Sequence, residues 1–312
     1  MYISDKKMLD YFSATLIVCL PWICTSWAMW SWIWEMIILM AVLWTGWRTG
    51  LKWTVIYLLT GYGLAAISFQ GPGLQQVGYI PWAGLVTVTG LKGEWPLRVT
   101  VFWSIVTAGL LGVIPIVSFP QPDLQSQDFL NFLMSQYESL GLLPTLQEQG
   151  ITETELRTML EQGLEIYVLI LPALAAISAI AEFGLACYFF LRWIDPQRKR
   201  RVPFSFWRLP WYAVWGVIAA LLCYLVGDEL SWLGLRSLGL NLLIVYAAVT
   251  SVVGISVYIF FLRSPHVPRF VKWMLILGNV VYFYYCWVSI IFFGIFDLVF
   301  NFRRLPEGAR GK

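Results

Sequence analysis

Long apolar runs broken by short polar or basic turns fill most of this chain. Residues 11–47 carry one charge, Glu35. A bilayer core takes about 20 apolar residues per helix, so this run is too long for one span and suits two short ones. Tryptophans place the turn. Trp22, Trp27, Trp30, Trp32 and Trp34 cluster in mid-run, where an aromatic belt marks the far interface. Trp44, Trp47 and Trp53 gather around Arg48 and Lys52 on the return. Residues 53–91 hold no charge and break at QGPGLQQVG (70–78), which reads as a turn between two helices. Lys92 and Arg98 close that hairpin, and 99–119 is the next span, with a kink expected at Pro115.

The one long polar segment follows, about 120–161. Thr152 with Glu155 forms a capping box, and Ile151 against Leu156 is the matching hydrophobic staple. Nothing stops that helix before Arg192, although Pro172 should bend it, so it should begin in water and run down through the membrane. Within the segment, Leu124, Phe129, Leu130, Leu133, Tyr137 and Leu140 share roughly one helical face. That face either lies on the membrane or caps a cavity. RWIDPQRKRRVPFSFWR (192–208) is a basic loop, and spans are expected at 210–227, 238–262 and 270–299. The organisation is thus an amino-terminal membrane half (1–119, about five spans), an extracytoplasmic helical loop (120–161) and a carboxyl-terminal membrane half (162–312, three to four spans). The fold class is all-α: a polytopic helical membrane bundle of eight or nine transmembrane helices with a polar extracytoplasmic helical segment.

Composition agrees. The chain is 59% hydrophobic and 12% charged, with mean hydropathy +0.70, too apolar for water to surround. Lysine and arginine bias puts 192–208, Lys92/Arg98, Arg48/Lys52 and Lys6/Lys7 on the cytoplasmic side, so the amino terminus is expected inside a multi-pass inner (cytoplasmic) membrane protein. One conflict arises at the other end. Counting forward leaves Arg303, Arg304, Arg310 and Lys312 outside unless 270–299 breaks, re-enters and returns. The net charge of +3 gives no case for nucleic acid, and membrane lipids are the expected partners of the basic turns.

Catalytic patterns are missing. One histidine, His266, and five scattered cysteines without a CxxC pair offer no metal site, and no phosphate or dinucleotide loop occurs. No enzyme and no cofactor is expected. Four residues are candidates for a ligand or proton site. Glu182 is a charge in mid-helix, costing about 2.5–3.5 kcal/mol on insertion scales, and such residues face a cavity or a partner. Its helix carries Ala175, Ala176, Ser178, Ala179, Ala181, Gly184 and Ala186, a small-residue surface for close packing. Glu182 therefore either serves a ligand, cation or proton, or packs against a neighbour. Glu35 is the second, with contact at the tryptophan-rich interface as its plainer reading. Asn241 and Asn279 either bond across helices or touch a ligand. Asp297 with Arg303 and Arg304 reads as an ion pair anchoring the last helix.

Three stretches carry a family likeness: WRTGLKW through GPGLQQVGYIPWAGL (47–85), the polar loop leading into LPALAAISAI (171–180), and PFSFWRLPWY (203–212) with GIFDLVFNFRRL (294–305). They resemble the bacterial membrane proteins of the domain of unknown function 2232 family, the YybS-like proteins. That family is distantly similar to the substrate-binding subunits of energy-coupling-factor vitamin transporters and to the cell-shape protein MreD. The resemblance implies a helical bundle shaped for a small molecule, with a membrane protein partner or coupling subunit. The AxxxA pattern by which such subunits dock is missing from 11–34, and no binding residue carries over. Two functions stay open: a small-molecule-binding or transport subunit, and a non-enzymatic scaffold or regulatory protein of the cell envelope.

Overall fold

The computed structural model describes residues 2–24, 31–74, 78–118, 124, 126–194, 203–265, 267–281 and 283–304. Among them there are helices and turns and no strand. Backbone polar groups in lipid must be satisfied within their own segment, which is what makes long helices of such apolar runs.

α1 (Tyr2–Cys24), α2 (Ser31–Arg48) and α3 (Leu51–Leu74) form the first layer. α1 and α2 are antiparallel: Asp10 accepts from Trp44 at 3.2 Å and pairs with Arg48 at 3.4 Å, while the Thr45 hydroxyl donates to Ser13 at 2.9 Å. α3 continues to Leu74, taking in the first five residues of the expected break. The chain then returns through a short 3-10 turn (Ile80–Trp82) into α4 (Ala83–Lys92). α5 (Leu97–Ser118) holds Pro115 near its end. α6 (Gln127–Ser139) and α7 (Leu142–Glu148) belong to the polar segment.

α8 (Glu153–Ile194) is the longest helix, 42 residues with Pro172 inside. The boundary read at 161 falls within it. Its start is the expected box: the Thr152 N–H donates to the Glu155 carboxylate at 2.8 Å, and the Glu155 N–H to the Thr152 hydroxyl at 3.2 Å. At about 1.5 Å per residue the helix is about 63 Å long, twice a bilayer core of about 30 Å, so its charged first turns project beyond the membrane. α8 packs against α5, α2 and α10, joining the two membrane halves.

α9 (Val214–Glu229) and α10 (Leu233–Arg263) follow as a hairpin. The expected span 270–299 is instead two helices, α11 (Arg269–Val281) and α12 (Phe283–Phe300). Among the described residues five helices are long and apolar enough to cross a membrane, within α3, α5, α8, the α9 region and α10. α2 is apolar but short, and its tryptophans and two charges lower its hydropathy. Eight or nine crossings are not established.

The anchor at the end of α12 is present. Arg303 is buried and meets Asp297 at 2.7 Å. Its guanidinium also donates to the carbonyls of Ser205 (2.6 Å) and Trp207 (2.7 Å) and to the Ser256 hydroxyl (2.8 Å). An internal charge pair in a membrane core persists only with its remaining donors satisfied, and here backbone oxygens of the 203–207 segment satisfy them.

Candidate functional site

Glu35 and Glu182, 147 positions apart in sequence, line the same cavity. It lies between the start of α2, the turn before α4, the second half of α5 and the middle of α8, and has a volume of about 200 Å³. α2 contributes Ser31, Trp32 and Glu35, the turn Gly78, Tyr79 and Ile80, and α8 Ala175, Ser178, Ala179 and Glu182.

Each wall follows from local sequence. Glu35 is one turn into α2 from Ser31, so both face the same way. Its carboxylate presses on Gly78, where a Cβ would overlap the carboxylate atoms. Only glycine lets backbone and carboxylate approach so closely. The Tyr62 hydroxyl donates to the Gly78 carbonyl and pins this turn to α3, and the Tyr62 ring meets Trp82 edge-on with centroids 5.6 Å apart. Residues 78–82 are thus irregular backbone within the bundle. Such backbone is tolerated at membrane depth where protein buries it or where it lines a cavity. On the opposite wall, Gly112 of α5 leaves no room for a Cβ against Ala179, and this close contact seats α5 on α8. The cavity opens beside that contact because Ala175, Ser178 and Ala179 are too small to fill it.

Charge is unevenly spread. The described residues lining the cavity include two carboxylates and no lysine, arginine or histidine. Glu182 Oε1 is shut off from solvent and has no hydrogen-bond partner. Glu35 and Glu182 are both half-buried.

Glu35 thus lies against Gly78 and lines the cavity beside Trp32, a member of the tryptophan cluster. The small-residue face of α8 is real in part, since Ala176, Ala179 and Ala186 are buried while Ala181 and Gly184 are exposed.

Asn241 lies away from the cavity. Its Oδ1 accepts from the Ala173 N–H at 2.8 Å, and its Nδ2 donates to the Leu169 carbonyl at 2.9 Å and the Ser237 carbonyl at 2.8 Å. Both Nδ2 protons and one lone pair of Oδ1 are used, which is the bonding across helices that one of its two readings describes. Asn279 sits in α11, and its side chain lies outside the described residues, as does His266.

None of the described residues of 120–161 lines this cavity. α6 meets α8 near its start: Arg157 bonds Asn131 at 3.2 Å and also Gln127. Ala175, at the cavity rim, is eighteen residues further on, about 27 Å along the helix axis.

Sequence reasoning missed Gly78, Tyr79 and Gly112. The signal was there in QGPGLQQVG, which reads as a plain turn until the short α4 shows that the turn sinks into the bundle.

All-helical architecture, apolar surfaces and membrane-length helices define the class: an integral helical membrane protein. The family model described as a predicted membrane protein, domain of unknown function 2232, matches residues 32–298, and the chain belongs to that family. No curated protein and no solved structure matches it.

Proposed function

We propose that this chain is a membrane-embedded small-molecule-binding subunit whose site is the cavity holding Glu35 and Glu182. The observation that carries this is the irregular segment 78–82 sunk between helices and facing two carboxylates from distant parts of the chain. Interrupted helices beside buried polar groups mark substrate sites in membrane transporters. Two costly features, broken backbone and unpaired acid, meet at one place, and packing needs neither.

The basic turns support a multi-pass protein of the inner membrane with its amino terminus in the cytoplasm. If the subunit serves transport, the energy comes from a partner chain or an ion gradient. A coupling subunit of the kind the vitamin-transporter resemblance implies would fill that role.

The test is native mass spectrometry of protein purified from its own membrane, compared with Ser178→Leu. Ser178 is exposed and its hydroxyl bonds only its own helix, at the Ala175 carbonyl (2.9 Å), so leucine should fill the cavity without unfolding the bundle. A small-molecule adduct on the parent, lost in the variant at unchanged melting temperature, is the expected result. Identical spectra for both proteins would sink the proposal and leave the scaffold reading in its place.

A further inference from the structure

We propose that the end of α10 and the first turns of α11 form a site for an anionic phospholipid, its headgroup held by Arg263, Arg269 and Lys272 and its acyl chains laid along α11. The site is separate from the cavity and does not depend on what the cavity binds. The charges come first. Arg263 closes α10, and Arg269 and Lys272 stand in the first turns of α11. At i and i+3 these two are neighbours on one face of their helix. Arg263 and Arg269 are exposed and Lys272 is half-buried. None of the three forms an ion pair among the described residues. The acids of 203–304 are Asp228, Glu229 and Asp297, and none of them answers these cations. Asp228 and Glu229 lie at the far end of the 31-residue α10, about 46 Å away along its axis. Asp297 is buried against Arg303.

Aromatic side chains give the level of these charges in the bilayer. Phe206 meets Phe260 edge-on with centroids 5.6 Å apart, so the exposed Phe206, Trp207 and Trp211 gather at this end of α10. Exposed tryptophans mark the headgroup level of a bilayer. Cations at that level, with no acid of the protein beside them, draw the phosphates of anionic lipids. The rest of α11 selects a lipid over a soluble anion. Phe270, Trp273, Met274 and Leu277 recur at i, i+3, i+4 and i+7, which makes one helical stripe. Each is between 60% and 73% exposed, because α11 packs mainly on α12 and leaves this stripe for another occupant. Arg269 and Lys272 flank one edge of the stripe. A free phosphate would meet the cations alone, whereas a phospholipid covers both charge and stripe. Basic residues beside an aromatic and aliphatic face are the means by which helices engage anionic lipid surfaces.

The experiment is native mass spectrometry of the full chain, released from detergent micelles holding equal amounts of dioleoyl-phosphatidylglycerol and dioleoyl-phosphatidylcholine. The parent should retain phosphatidylglycerol over phosphatidylcholine by about tenfold or more, since each basic residue at the surface contributes roughly fivefold. Arg263→Gln/Arg269→Gln/Lys272→Gln should lower that preference about fivefold or more at unchanged melting temperature. If the triple variant melts early, its three single variants carry the test, each lowering the preference about two- to fivefold. Lys7→Gln/Lys52→Gln/Lys92→Gln removes the same charge from exposed positions of the amino-terminal half and should leave the preference as in the parent. Phe270→Ala/Trp273→Ala should lower retention of both lipids. No preference in the parent, or one that survives the loss of all three cations, would overturn the site. An equal loss in the amino-terminal control would reduce the effect to unspecific surface charge and overturn it as well. Retention unmoved by Phe270→Ala/Trp273→Ala, or displacement of the lipid by an equal concentration of glycerol phosphate, would overturn the phospholipid in favour of a soluble anion.

Discussion

At the scale of single residues, Asn241 shows how a membrane helix survives a proline. Pro172 brings no N–H and crowds the preceding turn of α8, which loosens the bonding there. The side-chain amide from α10 offers an acceptor to Ala173 and a donor to Leu169, the N–H and carbonyl that a regular helix would pair with each other. In lipid no water can take over this task. Asn241→Leu keeps the volume and removes the bonds, and should lower bundle stability by about 0.6–2 kcal/mol. A melting curve in detergent checks it, and an unchanged curve would mean that α8 holds its proline turn without this amide. Arg303 is the second case. Sequence spacing suggested its partner Asp297, but the carbonyls of Ser205 and Trp207, almost a hundred positions away, accept two of its five hydrogen bonds.

α8 is the element on which the architecture turns. Its middle lines the cavity and packs on α5 and α2, its proline turn is bonded by Asn241 of α10, and its start carries α6. The capping box at that start has a pH dependence of known sign. Backbone and hydroxyl hydrogen bonds from Thr152 hold the Glu155 carboxyl below its ordinary range. A carboxyl depressed in the folded state stabilises fully above its unfolded value, and that contribution is lost as pH falls through the lowered one. A spin label at Glu153→Cys should therefore be immobile at neutral pH and gain mobility as pH falls below about 4.3 and then through the lowered value. Thr152→Ala, which removes the cap, should make the label mobile throughout. A label equally rigid at every pH in both proteins would show that staple and packing alone hold the turn.

For the molecule as a whole, the open question is where the chain ends. Arg303 bonds the segment 203–207 that directly follows the basic loop, and Ser256 near the end of α10. The end of α12 therefore lies at the same end of the bundle as the segment 203–207. With both α11 and α12 crossing, two helices where one span was expected, the chain would return to the side of that segment, as the charge rule expects. A tag after Lys312 and a cysteine placed in 195–202 should both react with an impermeant reagent only after cells are opened. Labelling of the tag alone on whole cells would show that the chain ends outside.

The sequence by itself determined the class of this protein, its helices and its punctuation. Apolar runs of bilayer length, a reciprocal cap at Thr152 and Glu155, and a charged residue in the middle of α8 are local facts, and local chemistry decides them. It also set apart Glu35 and Glu182 as expensive, because a charge in a membrane segment is costly wherever the helix goes. Only the tertiary structure decided that these two carboxylates share one cavity, that Gly78 lets the chain sink against one of them, and that Asn241 is spent on the proline turn of α8. The reason is physical. Helix periodicity dictates which way a side chain points around its own axis, but which neighbour it meets depends on how helices far apart in the chain pack. That packing follows from small residues such as Gly112 and Ala179, whose effect is to allow contact, and which carry no sign of their partner in the sequence.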